Sequence, residues 1–273
     1  MSFFRRNLSF FKLAILTNLE YRLNYFIDAI AQPILTSGIE IAFWSAVFAT
    51  GHFSSGSAAI KIAGFDLNSY LAYAIWASFI ARISVNWMYE FRMIEEIESG
   101  GLNTLLVRPM SFFEYYLSQF LGYKLITTLI SLCVPLVVTA MLDLPLIWSR
   151  LLPSLLLAIY YLFFLYILSF ITVTFSFHLT RIQGITMAKN LSLWIFSGEL
   201  LPLDIFPSPY REWLIKLPFS NGVFVPVAYI TGRIGPEVLW LGFQSISIGI
   251  VVASIIAWPL WKLGLRRYVG TGA

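Results

Sequence analysis

Residues 90–109 read Glu90-Phe-Arg-Met-Ile-Glu-Glu-Ile-Glu-Ser-Gly-Gly-Leu-Asn-Thr-Leu-Leu-Val-Arg-Pro109. Four glutamates and two arginines crowd together, followed by Gly100-Gly101 and a short leucine-rich stretch closed by Arg108-Pro109. Apolar runs at 67–87 and 117–141 flank this segment. A piece this charged does not sit in lipid, and it is too short to be a domain. It reads as a polar connection between two membrane spans, shaped to be held by another protein.

The composition agrees with that reading. Of 273 residues, 59% are hydrophobic and 12% charged, against about 25% charged in soluble domains. A span needs about 20 mostly apolar residues. Five stretches meet this: 25–48, 67–87, 117–141, 152–177 and 238–260. A sixth, 185–201, carries Thr186, Lys189, Asn190, Ser192, Ser197 and Glu199. A helix this polar does not face lipid all round, so its polar side is expected to meet a partner helix or a pathway. The expected fold is an all-α polytopic membrane protein, residues 1–273 forming a single transmembrane domain.

Six spans put both termini on one side, and the positive-inside rule selects it. With the termini in the cytosol, the inner side holds Arg5, Arg6, Lys12, Arg22, Arg92, Arg108, Arg181, Lys189, Lys262, Arg266 and Arg267. The outer side holds Lys61, Arg150, Arg211, Lys216 and Arg233. The expected location is the cytoplasmic membrane. No cleavable signal peptide is evident, because the first long apolar stretch begins near Tyr25 and is too long for such a leader.

Residues 1–20 are too interrupted to span. Phe4, Leu8, Phe11, Ile15 and Leu19 share one helical face, with Leu13 and Leu16 as exceptions, and Arg5, Arg6, Ser9 and Lys12 lie off it. This predicts an amphipathic interfacial helix lying on membrane lipids. Residues 201–236 fall outside and hold Pro202, Pro207, Pro209, Pro218, Pro226 and Pro236, yet are rich in apolar residues. Apolar pieces punctuated by proline predict short re-entrant helices, tolerated only where protein or a water-filled cavity covers them.

Charges inside the first two spans are functional candidates. Asp28 and Arg82 lie at similar depths and predict an ion pair; Glu40 lies about 10 Å or more further out with no evident partner. It faces either a polar cavity or a neighbouring helix. Glu199 caps the outer end of the polar span. The two histidines, His52 and His178, fall on opposite sides of the membrane and make no metal pair. The one cysteine, Cys133, sits in an apolar run and reads as a small core residue. No Gly-x-x-x-x-Gly-Lys-Ser/Thr loop and no hydrolase motif is present. The chain therefore has no expected catalytic residues, metal or cofactor of its own, and no nucleic-acid partner.

The order of features resembles a known family. After a basic interfacial helix and two spans comes Ile97-Glu-Ser-Gly-Gly-Leu-Asn-Thr-Leu-Leu-Val-Arg-Pro109. Three spans later come Ser197-Gly-Glu-Leu-Leu-Pro-Leu-Asp-Ile-Phe-Pro207, Leu217-Pro-Phe219, and a Pro226…Tyr229-x-x-Gly232 tail. The whole chain resembles the permease subunit of ABC-2 type transporters, in the branch with a separate drug-resistance-like ATPase subunit. Glu199 departs from the apolar residue usual at that place. The resemblance implies a permease, paired with a second identical or related copy, exporting a lipid-like, peptide or amphipathic substrate. ATP and magnesium would be bound by an ABC ATPase subunit. It makes the segment between spans two and three a cytosolic coupling helix, with Glu90, Arg92, Glu95, Glu96 and Glu98 offering charge to the ATPase. Ile94, Ile97 and Leu102 would be its apolar anchor, and Gly100 and Gly101 its turn. The outer helices, with Pro202, Phe206, Pro207, Pro218 and Phe219, would gate the exit. Two other readings stand beside it: an ion-gradient-driven transporter or channel using Glu40 and Asp28, and a membrane anchor for a cytosolic partner.

Overall fold

The computed structural model describes residues 3–20, 26–49, 61–62, 64–179 and 181–269, with backbone alone for 3–7 and 17–20. The expected start of the first span at Tyr25, Arg22, His52 and the side chains of Phe4, Arg5, Arg6 and Leu19 lie outside the described residues. The described chain is all-helical apart from one isolated bridge between Ile62 and Phe65.

Helix α1 (Phe3–Glu20) leads into α2 (Ile27–Ala49), then α3 (Leu67–Ser84), α4 (Trp87–Glu98) and α5 (Leu102–Leu106). Next come α6 (Phe112–Met141), α7 (Leu151–Thr174) and α8 (Gln183–Phe196). Two short helices, α9 (Ser208–Lys216) and α10 (Phe224–Ile230), precede the long α11 (Pro236–Arg267).

Among the described residues, four helical stretches are long and apolar enough to cross a membrane: Ile27–Ala49, Phe112–Met141, Trp148–Phe177 and Pro236–Arg267. Helices α3 and α8 are not among them. Helix α8 has 14 residues, about 21 Å at 1.5 Å per residue, short of the roughly 30 Å hydrocarbon core. Helix α3 carries Asn68, Ser69, Ser78, Arg82 and Ser84, and nearly every other residue in it is buried against its neighbours. Its polarity is tolerated because protein, rather than lipid, surrounds it.

Local chemistry sets the helix limits. Asp66 accepts a hydrogen bond from the Ser69 amide at 3.1 Å and caps α3, and the Ser69 hydroxyl holds the Asp66 carboxyl below its ordinary pKa. Ser111 and Glu114 form a reciprocal capping box at the start of α6. Helix α6 breaks at Leu132, where Pro135 cannot donate to the Ser131 carbonyl. Cys133, at the break, is exposed; the turn rotates it away from the core position expected for it.

Helix α2 opens with a π-helical turn, Ile27–Ala31, in which the Gln32 amide donates to the Ile27 carbonyl. In that pattern the Asp28 carbonyl would accept from residue 33, which is proline and has no N–H. It accepts instead from Arg82 Nη2 at 3.0 Å.

Helices α7 and α11 pack along each other with small residues at the seam. A side chain on Gly249 would meet Phe164 at 2.9 Å, and one on Gly242 would meet Leu157 at 3.2 Å, so glycine favours the close approach. Helix α1 runs beside the first half of α6, with Phe10 near Tyr115 and Ala14 against Gly122. Its chain-facing line passes through Phe11, Ala14 and Ile15, while Leu8, Leu13 and Leu16 are exposed. Leu8 and Phe11 line one groove beside α6, on the shared face expected of them.

Segment 201–236 folds back into the helix bundle. Its 3-10 turn, Pro218–Gly222, packs on Tyr161 and Phe164 of α7 and Gly249 of α11. Those positions lie 10 to 13 residues inside their helices, about 15–20 Å along the axes. Irregular backbone this deep needs partners. Asn221 Nδ2 donates to the carbonyls of Leu217 and Pro218, Ser220 Oγ donates to Leu217 O, and Ser84 Oγ donates to Gly222 O at 2.9 Å.

Candidate functional site: a cavity walled by α2, α3 and α8

A cavity of about 770 Å³ lies between α2, α3, α8 and the deep turn at Gly222. Pro33, Thr36 and Glu40 line it from α2, and Ser78, Ala81 and Arg82 from α3. Met187, Asn190, Leu191 and Trp194 line it from α8, and Tyr161 and Leu165 close the back. Asn86, Trp87 and Phe91 form its floor where the chain leaves α3 for α4. The size matches a drug-sized ligand.

At one end Arg82 and Asp28 form an ion pair. Tyr123 donates to the same Asp28 carboxylate, and Lys124 Nζ donates to the Arg82 carbonyl at 2.8 Å. The pair expected from depth alone is thus the centre of a network joining α2, α3 and α6. Toward the other end stand Glu40 and Glu199. Trp44 Nε1 donates to Glu40 Oε2 at 3.2 Å, from the next turn of its own helix. Glu40 therefore faces the cavity, one of the two places open to it. Glu199 follows Gly198, whose φ of 82° is a left-handed conformation that glycine adopts freely. Tyr73 Oη donates to the Gly198 carbonyl at 2.8 Å and fixes the bend that points Glu199 inward.

Helices α4 and α5 hold several of the residues expected to face a partner inside the chain's own fold. Glu90 does not face outward: it is fully buried and paired with Lys189 of α8, and Lys189 also donates to Ser169 Oγ at 3.0 Å. Ile94, Ile97 and Leu102 are buried within the chain's own core, where they anchor α4 and α5 to α6 and α7. Amphipathic periodicity shows which residues share a face, not which surface covers it. Glu96 turns inward, accepting from Tyr116 Oη at 3.3 Å. One oxygen of Glu98 is buried without a hydrogen-bond partner, and burial pushes this carboxyl's pKa up. Gly100 makes the turn with φ 82°. Gly101 has ordinary φ; its missing side chain leaves room for the Glu96 carboxylate, 2.7 Å from where a Cβ would stand. Arg92, Glu95, Asn103, Leu106, Val107 and Arg108 remain exposed. Leu106 and Val107, 52% and 86% exposed, are an apolar tip that the sequence reading passed over. Their position in a run of leucines hid them.

None of the expected gate residues Pro202, Phe206, Pro207, Pro218 and Phe219 lines the cavity; Leu200, Gly222 and Val223 do. Pro202 is buried, and Phe219 packs on Phe164. The residue that holds this region is Arg233, which the sequence marked only as an outer cation. Its fully buried side chain pairs with Asp204 at 2.7 Å and donates to the Ser69 carbonyl at 2.8 Å. The guanidinium lies over the rings of Phe65, Tyr70 and Tyr73 at 4.3–4.8 Å. Tyrosines of α3 four and seven residues after the Asp66 cap were the available signal.

A family model described as ABC-2 family transporter protein matches residues 35–272. Neither a curated protein nor a solved structure matches the chain.

Proposed function

The chain belongs to the ABC-2 family of transporter proteins, an integral membrane transport component and not itself a catalyst, and from this we propose that it is the permease of an ATP-driven exporter whose pathway is the cavity between α2, α3 and α8. Permeases of this family generally work with an ABC ATPase. In our reading six helices cross the membrane, α3 and α8 among them, with both termini in the cytosol. Helix α8 crosses in spite of its length because the Ser197–Leu201 bend continues its path, and α1 lies at the inner interface. A second copy, identical or related, covers the open side of the cavity, where Ile34, Leu35 and Ile39 of α2 and Leu191 and Trp194 of α8 are exposed.

The observation that carries the mechanism is the Glu90–Lys189 pair. It ties α4 directly to a wall of the cavity. The ATPase would seat on the exposed tip formed by Arg92, Glu95, Leu106, Val107 and Arg108. Closure of the ATPase pair would push α4, and the buried pair would carry the displacement to α8. Helix α8 would then move against α2 and α3 and change which end of the cavity is open. The deep turn at Gly222 and Leu200 would form the outer side of the gate, held by Arg233.

Purification of the tagged chain from its native membranes tests this. A polypeptide carrying the nucleotide-binding loop should copurify in near-equal amount, and reconstituted transport should require ATP hydrolysis. A purified chain without an ATPase, with transport that follows an ion gradient and ignores ATP depletion, would establish the gradient-driven reading in its place.

A further inference from the structure

We propose that the cavity accepts an amphipathic organic cation, its charged group held at Glu40 and Glu199 and its apolar body lying against Trp87, Phe91 and Trp194. This rests on the reading of the cavity as the transport path.

Two carboxylates from different walls line one cavity, and among the described residues neither has a basic partner. The neighbouring cations are engaged elsewhere: Arg82 with Asp28, Lys189 with Glu90 and Arg233 with Asp204. Arg82 also lines the cavity, but its charge is balanced there. Two carboxyl groups without a counter-ion in a low-dielectric bundle are costly to ionise. A bound cation removes that cost.

A second observation is independent of the carboxylates. Asn86 is 5% exposed and lines the floor of the cavity, yet neither its Oδ1 nor its Nδ2 has a hydrogen-bond partner. Buried amides are ordinarily satisfied, so Asn86 offers a donor and an acceptor to a guest. The rest of the lining narrows the class. Aromatic faces attract ammonium and phosphonium-like cations, and the volume of about 770 Å³ is far larger than a bare metal ion needs. No group of three metal-ligating side chains occurs among the described residues.

The test compares tetraphenylphosphonium with tetraphenylborate, ions of matched shape and opposite charge, on the full chain in nanodiscs. Saturable binding, read by tryptophan fluorescence against empty nanodiscs, is expected for the phosphonium and not for the borate. The Glu40→Gln/Glu199→Gln variant should bind the phosphonium about tenfold more weakly or worse, the scale of one charge-assisted contact. Should that variant fail to fold, Leu191→Arg places a cation on the cavity wall and should block the phosphonium alone. Equal binding of the two ions, preference for the borate, or saturable binding of neither overturns the proposal. So does a folded double variant with unchanged affinity. The two readings fail separately. ATP-driven export without charge preference leaves the permease intact and removes the cation site; phosphonium binding in a protein that never engages an ATPase does the reverse.

Discussion

Glu90 of α4 and Lys189 of α8 form an ion pair in which the glutamate side chain has no solvent exposure. They are 99 residues apart in sequence. One belongs to the charged connection that marks the chain as polytopic, the other to its most polar span. Removing one partner of a buried pair leaves an uncompensated charge and costs about 3–5 kcal/mol, whereas replacing both with apolar groups is often neutral. Glu90→Gln or Lys189→Met alone should therefore lower the thermal unfolding midpoint of the purified protein markedly. Glu90→Met/Lys189→Met should recover most of it. If the pair transmits movement, the recovered double variant will still hydrolyse ATP with its partner but transport poorly.

The Asp28–Arg82 pair is open to exchange, with one asymmetry. Asp28→Arg and Arg82→Asp should each abolish assembly, and the reciprocal exchange should restore part of it, measured as detergent-stable protein. Restoration will be incomplete, because an aspartate at 82 cannot reach the Asp28 backbone carbonyl that Arg82 now satisfies. A double exchange no better than either single change would mean the carboxylate contact contributes nothing.

Arg233 makes a different demand. Its planar fork spans Asp204 and the Ser69 carbonyl while stacked among three rings, a combination that lysine cannot reproduce. Arg233→Lys should destabilise the protein by about 2 kcal/mol or more and Arg233→Met by about 3–5 kcal/mol. Limited proteolysis should locate the first cut within 201–236.

At α4 and α5, the exposed tip and the buried anchor separate two kinds of failure. Leu106→Asp with Val107→Asp should leave the unfolding midpoint within a degree or two of wild type, since both side chains are already in water, and abolish copurification of the ATPase. Ile94→Ala, at a buried position, should cost about 2–5 kcal/mol of stability and affect the ATPase only through loss of folded protein.

Glu98 gives a pH dependence of known sign. Burial raises its folded-state pKa, so the folded chain holds this proton more tightly than the unfolded chain. Its contribution is then most favourable in acid and falls as pH rises above the ordinary glutamate range near 4.5. Glu98→Gln should flatten that part of the stability profile and raise the midpoint at neutral pH. Thermal unfolding of wild type and variant across pH 4 to 8 reads the difference directly.

The sequence alone determined a good deal. Apolar runs interrupted by a charged segment require a helical membrane protein, because only internally satisfied backbone survives in lipid. The depths of Asp28 and Arg82 were enough to pair them, since helical rise converts residue number into distance. The order of short motifs pointed to the family that the model over residues 35–272 also identifies. Tertiary structure decided the rest. Glu90, Ile94, Ile97 and Leu102 read as an outward face because periodicity cannot say whether a polar or apolar stripe meets a partner or its own chain. Glu90 is buried because a lysine 99 positions away arrives at the same point, and no local pattern encodes that meeting. Cys133 turned outward because Pro135 breaks the helix below it. Glu40 and Glu199 share a cavity because the turn at Gly198, just after α8, keeps Glu199 on the cavity side. Spacing along a chain fixes what lies on one helix; which helices close around one space is set by packing among segments far apart in sequence.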